Sequence, residues 1–160
     1  MKFLVDGMLG GLAKWLRILG HTVEYEAGTD DNTILLKAKE SDSIILTADD
    51  ELSKRANRRT ISCLLVKSRT EPERLAEVAQ TFNIALTVDM RSTKCPNCGG
   101  NLRIAKGKEE LVAKVPQASL KMYSEFWLCD RSGCGKAYWK GSHWRQIDKT
   151  LAVARQLSGQ

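Results

Sequence analysis

An α/β fold, with a parallel sheet flanked by helices, a small C-terminal ribbon and a closing helix, is predicted by three features of the sequence. Strand-like and helix-like segments alternate through the first ninety residues. Two close cysteine pairs follow, Cys95-Pro96-Asn97-Cys98 and Cys129-Asp130-Arg131-Ser132-Gly133-Cys134. An apolar stripe at helical spacing, Ile147, Leu151, Ala154 and Leu157, ends the chain. These features divide it into a parallel-sheet domain over 1–90, a ribbon over 91–145 and a last helix over 146–160 that folds back on the first domain.

The elements follow in order. Phe3-Leu4-Val5 is a short apolar run ending at Asp6-Gly7, a first strand. Leu9, Leu12, Ala13, Leu16 and Leu19 recur at helical spacing until Gly20 stops the helix. His21 to Tyr25 reads as a second strand, and Asp30-Asp31-Asn32 supplies helix-start residues ahead of Ile34, Leu35 and Ala38. Ser43 to Thr47 is a buried type of strand, followed at Ala48-Asp49-Asp50 by a turn into a helix carrying Leu52 and Ala56. Ile61 to Val66 is a fourth strand. Glu71 to Phe82 is a fourth helix with Leu75, Val78, Ala79 and Phe82 on one face. Within the ribbon the strand expectations fall on Leu111–Val115 and Phe126–Leu128, and 105–110 reads as a mobile hairpin or loop.

Composition bounds the setting. At 160 residues and 42% hydrophobic content, the chain has room for one modest core and a metal-stapled module, and is not a disordered tail. Asp6 interrupts the only apolar start, so no export signal is read, and no stretch approaches a membrane span. Thiols spaced for metal rather than for a disulfide framework agree with a cytoplasmic expectation. Charge is uneven: residues 1–90 carry 12 Lys and Arg against 14 Asp and Glu, whereas 91–160 carry 13 against 5. An acidic domain joined to a basic module suggests metal attraction in the first and phosphate attraction in the second, although a solvated lysine-rich surface would show the same counts.

The cysteine spacing is the strongest chemical signal. Pairs separated by two and four residues, followed by Gly99-Gly100 and by Gly135, let backbone N–H groups turn toward sulfur and suit tetrahedral zinc held by Cys95, Cys98, Cys129 and Cys134. Cys63 lies in a strand and His143 is not needed to complete the shell, so both stay outside it. The second signal is acidic. Asp6 ends the first strand, Asp49 ends the third, and Asp31 opens the helix after the second. In an open parallel sheet these addresses border the crevice where ligands bind. Carboxylates gathered there suit a hard cation, Mg²⁺ or Mn²⁺, that activates water and stabilises the leaving oxygen of a phosphodiester. Asp30 or Asp50 can join such a site. Asp30-Asp31 and Asp49-Asp50 also suit helix caps, whereas Asp6, directly after an apolar strand and before glycine, lies at the sheet's rim.

These residues carry a resemblance. Phe3 to Gly20, Asp31 to Ala38 and Ile45 to Leu52 look like the PIN-like nuclease family named after the C-terminal domain of the Mut-seven exonuclease. Cys95 to Cys98, with Lys136-Ala137-Tyr138-Trp139-Lys140-Gly141-Ser142-His143-Trp144, resembles the zinc ribbon of that family. The resemblance covers nearly the whole chain and implies a PIN-like sheet and a metal-dependent ribonuclease in which Asp6, Asp31 and Asp49 match the acidic positions. Two departures stand out. Thr47-Ala48-Asp49 replaces the usual threonine-arginine-aspartate, and the second cysteine pair is wider than the usual knuckle.

Basic and aromatic residues complete the reading. Lys14 and Arg17 are three apart on the first helix; they hold phosphate if their shared face borders the crevice and are ordinary solvated charges if it does not. Arg55, Arg58 and Arg59 carry the same two meanings. Lys140, His143 and Arg145 interleave with Tyr138, Trp139 and Trp144 as stacking on exposed bases requires, although the tryptophans equally suit packing around a small zinc core. The expected partner is RNA, with the ribosome as a further partner of a non-catalytic adaptor that would keep the same fold.

Overall fold

A computed structural model describes all residues, 1–160. Strands β1 (Lys2–Asp6), β2 (Thr22–Glu26), β3 (Ile44–Thr47) and β4 (Cys63–Leu65) form one sheet in the order β2-β1-β3-β4, with every pairing parallel. Helices α1 (Gly10–Ile18), α2 (Asp31–Ser41), α3 (Asp50–Arg58) and α4 (Glu71–Phe82) connect and cover it. Phe3, Leu4 and Val5 are all buried because helices lie on both faces, which is why β1 reads as a continuous apolar run rather than an alternating one.

Strand alternation sorts the core into two layers. Phe3, Val5 and Leu46 pack with the apolar stripes of α1 and α4, whereas Leu4 and Ile45 pack with Ile34, Leu35 and Ala38 of α2 and Leu52 and Ala56 of α3. The final helix α6 (Trp144–Ser158) lies on α4 and contributes Leu151 and Ala154 to the first layer. Its end is tied to the segment after α4: Arg155 donates to the Leu86 carbonyl at 2.8 Å and Gln160 to that of Ile84 at 2.7 Å. No helix is long and apolar enough to cross a membrane.

The ribbon is a three-stranded antiparallel sheet of β5 (Leu102–Ile104), β6 (Trp127–Cys129) and β7 (Ala137–Tyr138) in the order β5-β6-β7. Here one expectation is corrected. Leu111–Val115 is a run of turns, not a strand, and a short helix α5 (Gln117–Met122) follows it. Leu111 and Val115 bury beside Phe126 and Leu128, so their apolar character reflects a small core covered by turns. The 105–110 segment contains a 3-10 turn at Lys108–Glu110.

Candidate active site and metal centre

The chain passes from β1 to β2 on one side of the sheet and reaches β3 on the other side of β1. The strand order therefore reverses between β1 and β3, and the crevice outside their carboxyl ends is the natural ligand address. Asp6 and Asp49 lie there and are connected through Thr47, which is fully buried at the end of β3. The Thr47 hydroxyl donates to Asp6 Oδ2 at 2.8 Å and accepts the Asp49 N–H at 3.0 Å. Asp6 Oδ1 accepts the Gly7 N–H at 2.6 Å. Asp49 caps α3, its Oδ1 accepting the N–H groups of Glu51 at 2.8 Å and Leu52 at 3.2 Å, which leaves Oδ2 without a protein partner. Asp49 is thus a cap and a rim carboxylate together, and the cap hydrogen bonds fix its orientation.

Asp31 sits in the first turn of α2, and its Oδ2 accepts from Arg55 of α3 at 2.8 Å. Arg55 also donates to the Asn32 side chain, so one guanidinium joins the starts of α2 and the body of α3. A cation is therefore present near the acidic rim even though position 48 is alanine. Asp30 caps α2, bonding the Thr33 N–H at 3.1 Å and the Thr33 hydroxyl at 2.6 Å; that hydroxyl is the main reason its carboxyl titrates below the usual range. Asp50 is exposed and pairs with Lys54 one turn along α3. Asp6, Asp31 and Asp49 do not close into a compact shell: the four cysteines are the one group of three or more His, Cys, Asp or Glu ligand atoms that all lie within 4.8 Å of one another.

A further carboxylate at this end of the sheet escaped the sequence reading. Glu71 opens α4 and lies against the first turn of α1, so close that a Cβ at Gly11 would stand 2.5 Å from its Oε1. Arg74 donates to Oε1 at 3.2 Å, while Oε2 is buried without a hydrogen-bond partner. The signal that marks it is positional, since Glu71 stands after β4 as Asp31 stands after β2.

The cysteines form a well-shaped metal site. Sulfur separations are 3.8 Å for Cys95 and Cys134 and 3.4 Å for Cys98 and Cys129. Zinc–sulfur bonds of about 2.3 Å in a tetrahedron place sulfurs roughly 3.8 Å apart, so the set fits zinc. The Gly100 N–H points at Cys98 Sγ at 3.4 Å, and the turn that permits this needs the left-handed backbone of Gly99, φ 75°. The Lys136 N–H is the largest influence on Cys134 and brings its thiol down to about 7, toward the thiolate that a metal needs; burial pushes Cys129 up to about 12.

The basic residues separate sharply. Lys14 is exposed, but Arg17 is only 7% exposed. The Arg17 guanidinium donates to the Val23 carbonyl at 3.0 and 3.3 Å, to Pro96 at 3.2 Å and to Asn97 at 3.3 Å. The expectation that it holds phosphate is corrected: its donors are spent joining α1, β2 and the turn at the first cysteine pair. A residue three positions from Lys14 is buried because the ribbon docks on that turn of α1, where Thr93 Oγ1 also donates to the Ile18 carbonyl at 2.8 Å. In the ribbon, Lys140 and His143 are exposed, as is Arg145 on the first turn of α6. Lys140 Nζ lies 5.1 Å from the Trp144 ring centroid, and Trp139 packs against Phe126 with centroids 6.0 Å apart. Trp139 packs against the ribbon core, and both it and Trp144 are half-buried.

The chain thus joins a parallel α/β domain, with carboxylates at its strand-order reversal, to a ribbon whose four cysteines could hold a metal ion. The match to the family described as Mut7-C RNAse domain runs over residues 1–151, and the chain belongs to that family. No curated protein and no solved structure matches it.

Proposed function

We propose that the chain is a divalent-metal-dependent ribonuclease that hydrolyses RNA phosphodiester bonds at the acidic rim. The observation that carries this reading is the Asp6–Thr47–Asp49 connection: Thr47 holds the Asp6 carboxylate and the Asp49 backbone, and the α3 cap bonds hold the Asp49 carboxylate at the same end of the sheet. The donor set suits Mg²⁺ or Mn²⁺: the groups are hard oxygens, and Asp49 Oδ2 and Asp31 Oδ1 remain free of protein partners. Such an ion supplies an activated water and charge stabilisation at the leaving oxygen. Asp6 and Asp49 would hold it, with Asp31 as a further ligand; Asp30 and Asp50 act in capping and surface pairing. Zinc at Cys95, Cys98, Cys129 and Cys134 is structural.

RNA would lie across a basic ribbon surface formed by Lys140, His143 and Arg145, with Lys14 nearer the rim. The first zinc knuckle docks at the carboxyl end of α1, whereas Asp6 precedes its start. At 1.5 Å per residue that helix of nine residues spans about 13 Å, so a bound strand must reach over more than one nucleotide to connect ribbon and rim.

One arrangement favours a second reading, a non-catalytic RNA- or ribosome-associated adaptor. Arg55 occupies Asp31 Oδ2, and the three aspartates do not converge. Incubation of purified protein with labelled single-stranded and structured RNAs, with added Mn²⁺ or Mg²⁺ or with neither, separates the two. The nuclease reading expects products only with metal. Intact RNA under every condition, together with salt-sensitive binding, supports the adaptor.

A further inference from the structure

We infer that the insertion between the two cysteine pairs carries a groove for single-stranded RNA, with successive nucleotides seated on either side of a ridge formed by Lys108 and Lys121. This inference rests on RNA being the partner of the chain and names a surface for it away from the acidic rim.

Two cavities adjoin in the insertion. The larger, about 420 Å³, is lined by Lys106, Lys108 and Lys121 together with Leu111, Tyr123 and Phe126. The smaller, about 320 Å³, shares Lys108, Leu120 and Lys121 with it and continues past Val112 and Val115. Three ammonium groups border these spaces, none of them in an ion pair, and no carboxylate lines either. Three acidic residues adjoin the lining in sequence without forming part of it: Glu109, Glu110 and the exposed Glu125. Glu110 is committed to Arg103 at 2.6 and 3.2 Å and to the Lys106 N–H at 2.7 Å, and Glu109 rests against Gly107.

The ligand chemistry follows from this mixture. The larger cavity falls within the range of ligand sites, roughly 300–1,000 Å³, and pairs an apolar floor with cations at its edge. A nucleotide has a flat apolar face and an anionic phosphate, and so fits both. An acidic peptide supplies charge without a group large enough for the cavity. The floor is anchored, since Phe126 packs into the ribbon core beside Leu111 and Val115 and against Trp139. Tyr123, half-buried at the wall, offers a ring for stacking. Two spaces joined across a lysine ridge suit a strand better than a single nucleotide. A duplex keeps its bases stacked inside the helix and offers none of them to these spaces.

The test uses the full chain, zinc-loaded and without added Mg²⁺ or Mn²⁺, so that binding is read apart from cleavage. Fluorescence anisotropy follows a labelled single-stranded oligoribonucleotide, the same sequence as a duplex, and displacement by poly-L-glutamate. The triple variant Lys106→Ala, Lys108→Ala, Lys121→Ala changes exposed side chains, and its zinc content and circular dichroism report folding. It should weaken single-strand binding tenfold or more and flatten the log–log salt slope by about 2, at about 0.7 per lost contact for three lysines. Tyr123→Leu should weaken single-strand binding at least threefold and leave the slope unchanged. Single-strand binding within twofold of wild type in the triple variant overturns the groove. Duplex binding with the same lysine dependence, or lysine-dependent capture of polyglutamate in preference to RNA, overturns it also. A protein that binds through these lysines but cleaves nothing keeps the groove and loses the nuclease reading; one that cleaves while the triple variant binds normally loses the groove alone.

Discussion

Thr47 and Asp6 are the last residues of adjacent parallel strands, and a 2.8 Å hydrogen bond from the threonine hydroxyl to the carboxylate crosses the point where the strand order reverses. The same hydroxyl accepts the Asp49 N–H. One small side chain therefore ties the Asp6 carboxylate to the Asp49 backbone, forty-three residues away in sequence.

Thr47→Val should remove both bonds while keeping the branched shape. Because Thr47 is fully buried, the Asp49 N–H and Asp6 Oδ2 each lose a partner, and we expect a stability loss of about 1–3 kcal/mol in urea unfolding. Metal-dependent cleavage should fall at least tenfold with RNA affinity within twofold. Unchanged cleavage would show that the carboxylates do not depend on this bond.

Arg17 is expected to act as a tether rather than as a phosphate contact. Arg17→Met should cost roughly 2–3 kcal/mol, because carbonyls of Val23, Pro96 and Asn97 lose a charged donor. Hydrogen exchange should rise first across the 93–100 segment, and RNA affinity should change less than twofold. A large affinity loss with normal exchange would return Arg17 to the RNA surface.

Arg55→Gln tests whether Asp31 can serve a metal. Releasing Asp31 Oδ2 should lower the Mn²⁺ concentration for half-maximal cleavage about threefold or more, since a carboxylate no longer neutralised by a guanidinium binds a cation better. If the requirement stays the same, Asp31 acts in helix packing alone.

The pair between Glu26 and Lys37, 2.6 Å apart, gives a pH signature. The lysine hydrogen bond, aided by Thr29, holds the Glu26 carboxyl below its ordinary 4.5. A depressed carboxyl contributes stability above that ordinary value and loses it as pH falls through the lower folded one. The melting temperature of wild type should therefore exceed that of Glu26→Gln at neutral pH, with the gap closing as pH drops below about 4. A gap that persists at pH 2 would assign the effect to packing.

Much of the fold was legible because it is carried by local patterns. The Glu71–Phe82 helix shows in the spacing of Leu75, Val78 and Ala79, and the metal centre shows in two short cysteine spacings. The Leu111–Val115 run misled because turns can bury apolar residues in a small core as strands do. Arg17 and Glu71 were illegible for a different reason. Arg17 is buried by a ribbon nearly eighty residues downstream, and Glu71 owes its place to a glycine in α1. Neither fact has a local signature.

Metal analysis of purified protein should find about one zinc per chain, and Cys98→Ser should release it and unfold the ribbon while the parallel sheet persists in circular dichroism. Full zinc retention by that variant would remove Cys98 from the site.

The most direct measurement is Mn²⁺-dependent cleavage of a labelled RNA by wild type, Asp6→Asn and Asp49→Asn, each purified with zinc bound. Asparagine keeps the side-chain shape and removes one negative charge, so folding and RNA binding should persist. The rate should fall by two or more orders of magnitude in each variant. Equal cleavage by all three proteins would contradict the assignment of the acidic rim as the catalytic site.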